Sequence, residues 1–377
     1  MTATVRQLSP GDVAKSLAVE SASRLEAGDL VVLPTETVYG VAARVDLPDA
    51  LARLSATRTD SSAPLTLHVG SREQAARLAG PFDPLGSKLM RRVWPGPVTL
   101  DVRIGSSSNL GPLSQSLVRD GRVRIRCPDH SFTQSVLEQV RAPVALVRVS
   151  SQFDVNALPD SASLAVDAGV PRYSKPSTLV RVEGGGFVVV QAGAMEERII
   201  RKKLITTVLF VCSGNTCRSP MASAVARVIV ARQLGVKPDE LDKADVQILS
   251  AGTFAAPGMK ASPQAVEAVA VLGADLSTHR SRPLTPELVN QADVIFTMGR
   301  SHAQMVSAMS PPAPTRVMPL DPEGDVEDPI GGDVTLYLSL ARQFEHLIPA
   351  RLDETVMADI LAGRAPTGGQ DGAKGAS

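Results

Sequence analysis

The stretch Val208-Leu209-Phe210-Val211-Cys212-Ser213-Gly214-Asn215-Thr216-Cys217-Arg218-Ser219-Pro220 constrains this chain more than any other. Its apolar opening, rich in β-branched and aromatic residues, reads as a buried strand. A short polar loop follows, and Pro220 suits the first turn of a helix running on through Met221-Ala222-Ser223-Ala224-Val225-Ala226. Gly214 and Asn215 tolerate unusual backbone angles within such a loop. Strand, loop and helix in this order gather the loop amides of Ser213, Gly214, Asn215, Thr216 and Cys217 and the positive helix end around one point, a receptor for a phosphoryl group. The same field favours the thiolate of Cys212, the nucleophilic form. Arg218 can bond two equatorial phosphoryl oxygens at once through its planar fork.

Far downstream, Glu327-Asp328-Pro329-Ile330-Gly331-Gly332 supplies a carboxylic acid in a turn-rich loop, as protonation of a leaving group requires. With the C-x5-R-S-P loop, Ser250-Ala251-Gly252 and Ala292-Asp293-Val294-Ile295, it resembles the low-molecular-weight protein phosphatase family from about Ile205 to about Asp353. The resemblance implies a Rossmann-like parallel sheet flanked by helices and a metal-free, cofactor-free reaction on a phosphorylated protein. Cys212 would attack phosphorus, Arg218 and the loop amides would hold the oxygens, and Asp328 would protonate the departing group and then activate water. Ser219 would donate a hydrogen bond to the Cys212 sulfur. Cys217 could pair with Cys212 under oxidant as a reversible off-switch, and His279 is expected to be structural. Tyrosine-directed members carry isoleucine where this chain has Thr216, and an aromatic pair where it has Ile330-Gly331-Gly332. Both positions are similar to the protein-arginine phosphatase branch, so phosphoarginine and phosphotyrosine both stand as substrates. Arsenate reduction on the same fold needs further cysteines, and none follows Cys217.

The 377 residues exceed what this segment uses, so a second α/β domain of comparable size is expected before it: residues 1–200, then 204–361, with a glycine-rich, polar and disordered tail over 362–377. Net charge is zero, the 3 cysteines make no disulfide framework, and no stretch has the length of a membrane span. A soluble cytoplasmic protein that keeps its thiolate reduced is the expectation. Residues 13–27 read as a helix, Leu30–Leu33 and Leu65–Val69 as strands, and Val188–Val190 as a last strand before a short charged linker over Glu196–Lys203, helical or extended. Beyond the loop, Ser262-Pro263 opens a helix closed by Gly273, Thr285-Pro286-Glu287 opens another, Val294–Met298 is a strand, and one long helix spans about Val334 to Leu361.

In the first segment Pro34-Thr35-Glu36-Thr37-Val38-Tyr39-Gly40, Pro64-Leu65, Trp94-Pro95-Gly96-Pro97, Arg126-Cys127-Pro128-Asp129-His130 and Pro176-Ser177-Thr178 resemble the YrdC-like threonylcarbamoyl-AMP synthases. That resemblance implies a twisted, open α/β sheet and a basic concavity for threonine and ATP or another nucleotide, with Thr35, Arg126, Ser177 and Thr178 in the pocket and tRNA modification as the purpose. The family's site positions depart: its Lys-x-Arg pair falls on Thr57-Arg58-Thr59, its Ser-Ala-Asn motif on Arg148-Val149-Ser150, and the arginine of its Arg-x-Gly on Gln191. A binding domain without synthase chemistry is therefore expected. Arg122-Val123-Arg124-Ile125-Arg126 alternates strictly, which on a strand puts three guanidiniums on one face, where they could meet the phosphates of tRNA or double-stranded RNA. A bifunctional phosphatase and synthase, and an RNA-binding module with a vestigial phosphatase, remain the alternatives. His68 and His130 stand alone in sequence and point to no metal.

Overall fold

The computed structural model describes residues 3–9, 11–60, 64–104, 110, 117–183, 185–309 and 316–361. The disorder expected over 362–377 lies outside them. The chain divides into two compact units, the first ending at Leu204 and the second beginning at Ile205.

The first unit is built on a mixed sheet of β1 (Thr4–Gln7), β2 (Leu30–Leu33), β3 (Tyr39–Arg44), β4 (Thr66–His68), β5 (Val98–Arg103), β6 (Val118–Arg119), β7 (Arg122–Arg126), β8 (Val144–Ser150), β9 (Ala162–Asp167), β10 (Thr178–Glu183) and β11 (Gly186–Gln191). Their order is β1-β9-β2-β3-β8-β4-β7-β5-β10-β11, with β6 paired to β7. The central strands bury both faces, which is why Leu30-Val31-Val32-Leu33 is apolar throughout rather than alternating. Helices Asp12–Glu26 and Ser131–Gln139 cover one face through Leu17, Leu25, Val136 and Leu137. Helices Pro48–Ala56, Pro84–Val93 and Glu197–Leu204 supply Leu54, Leu89, Ile200 and Leu204 to the core on the other. The charged segment read as a linker is thus a helix of the first unit, anchored by Ile200 and Leu204 among its charges.

The second unit has an all-parallel sheet of β12 (Thr206–Cys212), β13 (Val246–Gly252), β14 (Val294–Thr297) and β15 (Arg316–Pro319) in the order β13-β12-β14-β15. Alternation along β12 divides its side chains between two cores. Val208, Phe210 and Cys212 face helices Arg218–Leu234, Pro263–Ala270 and Val334–Asp353. Leu209 and Val211 pack with Val289, Ile295 and Val306 on the other side. The strands next to β12 lie on opposite sides of it, so the loop leaving its carboxyl end opens at a topological switch point, the crevice where α/β sheets of this kind bind ligands.

Two helix ends differ from the sequence reading. The helix opened by Ser262 stops at Ala270, and Gly273 closes the following turn at φ 75°. The long terminal helix is two, Val334–Asp353 and Met357–Leu361. It continues through Pro349 and breaks beyond it, where Thr355 Oγ1 donates to the Arg351 carbonyl and Val356 turns into the core.

Candidate active site

Cys212 ends β12 only 2% exposed, and Asn215, three residues on, takes the left-handed conformation at φ 55°. Gly214 does not, so the unusual backbone angle expected of both residues falls on the asparagine alone. Asparagine enters this conformation more readily than most non-glycine residues, and here its surroundings also fix it. Asn215 Nδ2 donates to Ser219 Oγ at 3.0 Å and Ser250 Oγ at 2.9 Å, its Oδ1 accepts from Arg282 N at 2.9 Å, and its carbonyl meets His279 Nε2 at 2.8 Å. His279 therefore braces the loop, and burial, with Arg280 and Arg282 nearby, lowers its pKa. Gly252 allows the loop to lie this close, since a Cβ there would come within 2.5 Å of the Ser213 carbonyl.

Ser219 Oγ is 2.9 Å from Cys212 Sγ, and Asn215 N donates to the same sulfur at 3.3 Å. Arg218 opens the helix at 8% exposure, with Nη1 on the Val326 carbonyl and Nη2 on Asp328 Oδ2 at 2.5 Å. The nucleophile, the cation and the acid are thus brought together although 116 positions separate Cys212 from Asp328 in the chain. Thr216 is half-buried, and its Oγ1 has one weak contact, 3.7 Å to Cys217 Sγ. Cys217 is buried against the hydroxyls of Tyr337, at 3.4 Å, and Ser262, at 3.5 Å.

Two neighbours carried no signal in the sequence reading. His302, from the helix Arg300–Met309 that follows β14, meets Ser213 Oγ through Nε2 at 2.9 Å. Phe254, 77% exposed, sits beside the loop because its N–H donates to the Ser213 carbonyl. Only parallel pairing of β12 with β13 and β14 brings them there.

In the first unit a cavity of about 150 Å³ is lined by Thr35, Thr66, His68, Thr99, Arg126, Arg148 and Ser177 among others. Thr35 Oγ1 is spent on the Val38 carbonyl, and Ser177 Oγ bonds Thr99 Oγ1 at 2.8 Å. Thr178 lies elsewhere, its Oγ1 bonding the backbone of Met195 at the start of β10. The arginine stripe on β7 is a correction. Its three residues do share a face, but Arg122 is buried on Asp101 and the Val182 carbonyl, and Arg126 is paired with Glu36 at 2.7 Å. Two of the three guanidiniums are committed inside the protein and present no open row to phosphates. Burial and the Arg126 charge push the His68 pKa down to about 3, so the ring is neutral.

A family model described as low molecular weight phosphotyrosine protein phosphatase matches residues 207–359. A protein-arginine-phosphatase of Bacillus subtilis is 38% identical over 146 residues, covering 37% of this chain and 91% of that protein. The chain belongs to the low-molecular-weight phosphatase family. A probable low molecular weight protein-tyrosine-phosphatase of Ralstonia solanacearum is also 38% identical, over 33% of this chain and 79% of its own length. The model described as telomere recombination, of the Sua5, YciO and YrdC proteins, matches residues 23–193. A threonylcarbamoyl-AMP synthase of Bacillus subtilis is 31% identical over 33% of this chain, which spans 36% of that synthase. The protein is a fusion, a Sua5/YrdC-type domain followed by a phosphatase enzyme of the low-molecular-weight family. Among the described residues no helix is long and apolar enough to cross a membrane.

Proposed function

We infer that this low-molecular-weight phosphatase hydrolyses phosphoarginine on proteins through a phosphocysteine at Cys212. The observation that carries the substrate choice is Thr216 in the nucleophile loop, whose hydroxyl has no strong partner among the described residues. A free hydroxyl beside the scissile bond can orient a guanidinium nitrogen, and a pocket built to hydrogen-bond its substrate discriminates against one lacking the partner group. The Asp-Pro loop offers Ile330, 74% exposed, and two glycines rather than an aromatic pair to stack on a phenol. Sequence identity favours neither side, since a protein-arginine-phosphatase and a probable protein-tyrosine-phosphatase are both 38% identical.

In this reading Cys212 displaces the arginine nitrogen at phosphorus, and Asp328, held beside Arg218, gives that nitrogen its proton. Water activated by the resulting carboxylate then releases phosphate, with Ser219 donating to the departing sulfur. Thr216→Ile tests the assignment. It should lower the ratio of kcat/KM for phosphoarginine to that for phosphotyrosine peptides by about tenfold or more, the scale of one lost polar contact. An unmoved ratio would reduce Thr216 to packing.

For the first domain the cavity supports binding rather than synthesis. The Lys-x-Arg positions of the resembled family hold Thr57 and Thr59, the former spending its hydroxyl on the Leu54 carbonyl, and Arg126 is neutralised by Glu36. Arg148 also lines the cavity, but one cation without the Lys-x-Arg pair does not fit a triphosphate, which needs several around it. With ATP, threonine and bicarbonate the chain should release no threonine-dependent pyrophosphate, and robust release would make it bifunctional.

A further inference from the structure

The nucleophile loop is held from two sides. On the β13 side, Asn215 is locked to Ser250, Arg282 and His279. On the β14 side, the side-chain tie is Ser213 to His302. The junction that carries His302 is itself fixed. Asp325 Oδ1 accepts from Arg300 N at 2.9 Å, and a Cβ at Gly299 would lie 2.8 Å from the same carboxylate and have to displace it.

His302 is 7% exposed, and its Nδ1 is buried without a hydrogen-bond partner among the described residues. A buried N–H left unpaired is rarer in proteins than an under-used acceptor, which assigns the proton of the neutral ring to Nε2. That nitrogen then donates to Ser213 Oγ and leaves the serine hydroxyl free to donate into the loop's mouth. The groups acting on the ring are Arg218, which with burial lowers its pKa, and Asp325 and Asp328, which oppose them. His302 is therefore within electrostatic reach of both the phosphate-binding cation and the acid, without being bonded to either.

We propose that His302 is a positioning residue of the phosphatase site, fixing Ser213 so that the first turn of the nucleophile loop keeps its donors aimed at the bound phosphoryl group. It rests on the phosphatase activity alone, not on the choice between arginine and tyrosine substrates.

The test is competitive inhibition by inorganic phosphate against an aryl phosphate, measured on the full chain for wild type, His302→Ala, His302→Asn, Ser213→Ala and the double variant His302→Ala/Ser213→Ala, with Tm recorded for each. His302→Ala should weaken phosphate binding and kcat/KM by about tenfold, the worth of one hydrogen bond. His302→Asn, which keeps a donor, should recover most of that loss even if its Tm stays low, and the double variant should be no worse than either single one. The proposal is overturned if His302→Ala leaves the phosphate Ki within twofold of wild type, if His302→Asn binds phosphate no better than His302→Ala, or if the two losses add. An inactive wild type would defeat the phosphatase reading instead.

Discussion

Ser219→Ala tests the sulfur chemistry most directly. The hydroxyl accepts from Asn215 Nδ2 at 3.0 Å, and its one proton can go to Cys212 Sγ at 2.9 Å or to the Ala251 carbonyl at 3.3 Å, with a thiolate the stronger acceptor. Asn215 keeps Ser250 as a partner when the serine is truncated, so the loop should retain its shape. What disappears is a hydrogen bond to a sulfur that leaves as an anion. Such a bond to a charged group is worth about 1.5–3 kcal/mol, or about 10–150-fold in rate. The bond matters most where thiolate is expelled from phosphocysteine, so breakdown should slow by this factor and formation by less. Rapid-quench kinetics with p-nitrophenyl phosphate should show a burst of one nitrophenolate per enzyme, then a steady state reduced by that factor. A kcat within twofold of wild type, with no burst, would refute a role for Ser219 in leaving-group stabilisation.

Asp328→Asn should slow turnover by about 10²–10⁴-fold for poor leaving groups and much less for activated aryl phosphates; equal losses across a leaving-group series would remove Asp328 as the acid. Gly252→Ala places a methyl group 2.5 Å from the Ser213 carbonyl and 3.0 Å from Asn215 N, so activity should collapse, with a destabilisation of about 1–3 kcal/mol by urea titration. In the first domain, Glu36→Gln leaves Arg126 buried without its counter-charge and should cost about 3–5 kcal/mol, read as a lowered midpoint of that domain's unfolding. His68 has its pKa depressed to about 3, so the unfolded chain binds one more proton than the folded one between that value and the ordinary 6.5. Stability of the first domain should therefore fall on acidification through this window by up to about 1.4 kcal/mol per pH unit, and His68→Gln should flatten the dependence.

The nucleophile, its arginine and the strand-loop-helix around them were legible because they are contiguous, so local rules of strand, loop and helix start describe their order, though the loop's backbone at Asn215 is fixed by the distant Ser250, Arg282 and His279. Asp328 was legible as an acid in a turn. His302 and Phe254 were not, because strand order rather than spacing brings them to the loop. The β7 arginines show the limit from the other side. Alternation gave their common face correctly, but a central strand of a covered sheet buries both faces, and no count along the chain reveals that Asp101 and Glu36 wait opposite. The terminal helix breaks at residues 354–356, where neither glycine nor proline stands to mark it, and continues through Pro349.

The most direct measurement is kcat/KM for matched phosphoarginine and phosphotyrosine peptides with the wild-type chain and Cys212→Ser side by side. Phosphoarginine hydrolysis through Cys212 requires higher kcat/KM on the phosphoarginine peptide and no turnover of either by Cys212→Ser. Turnover surviving in Cys212→Ser, or a clear preference for phosphotyrosine, would contradict it.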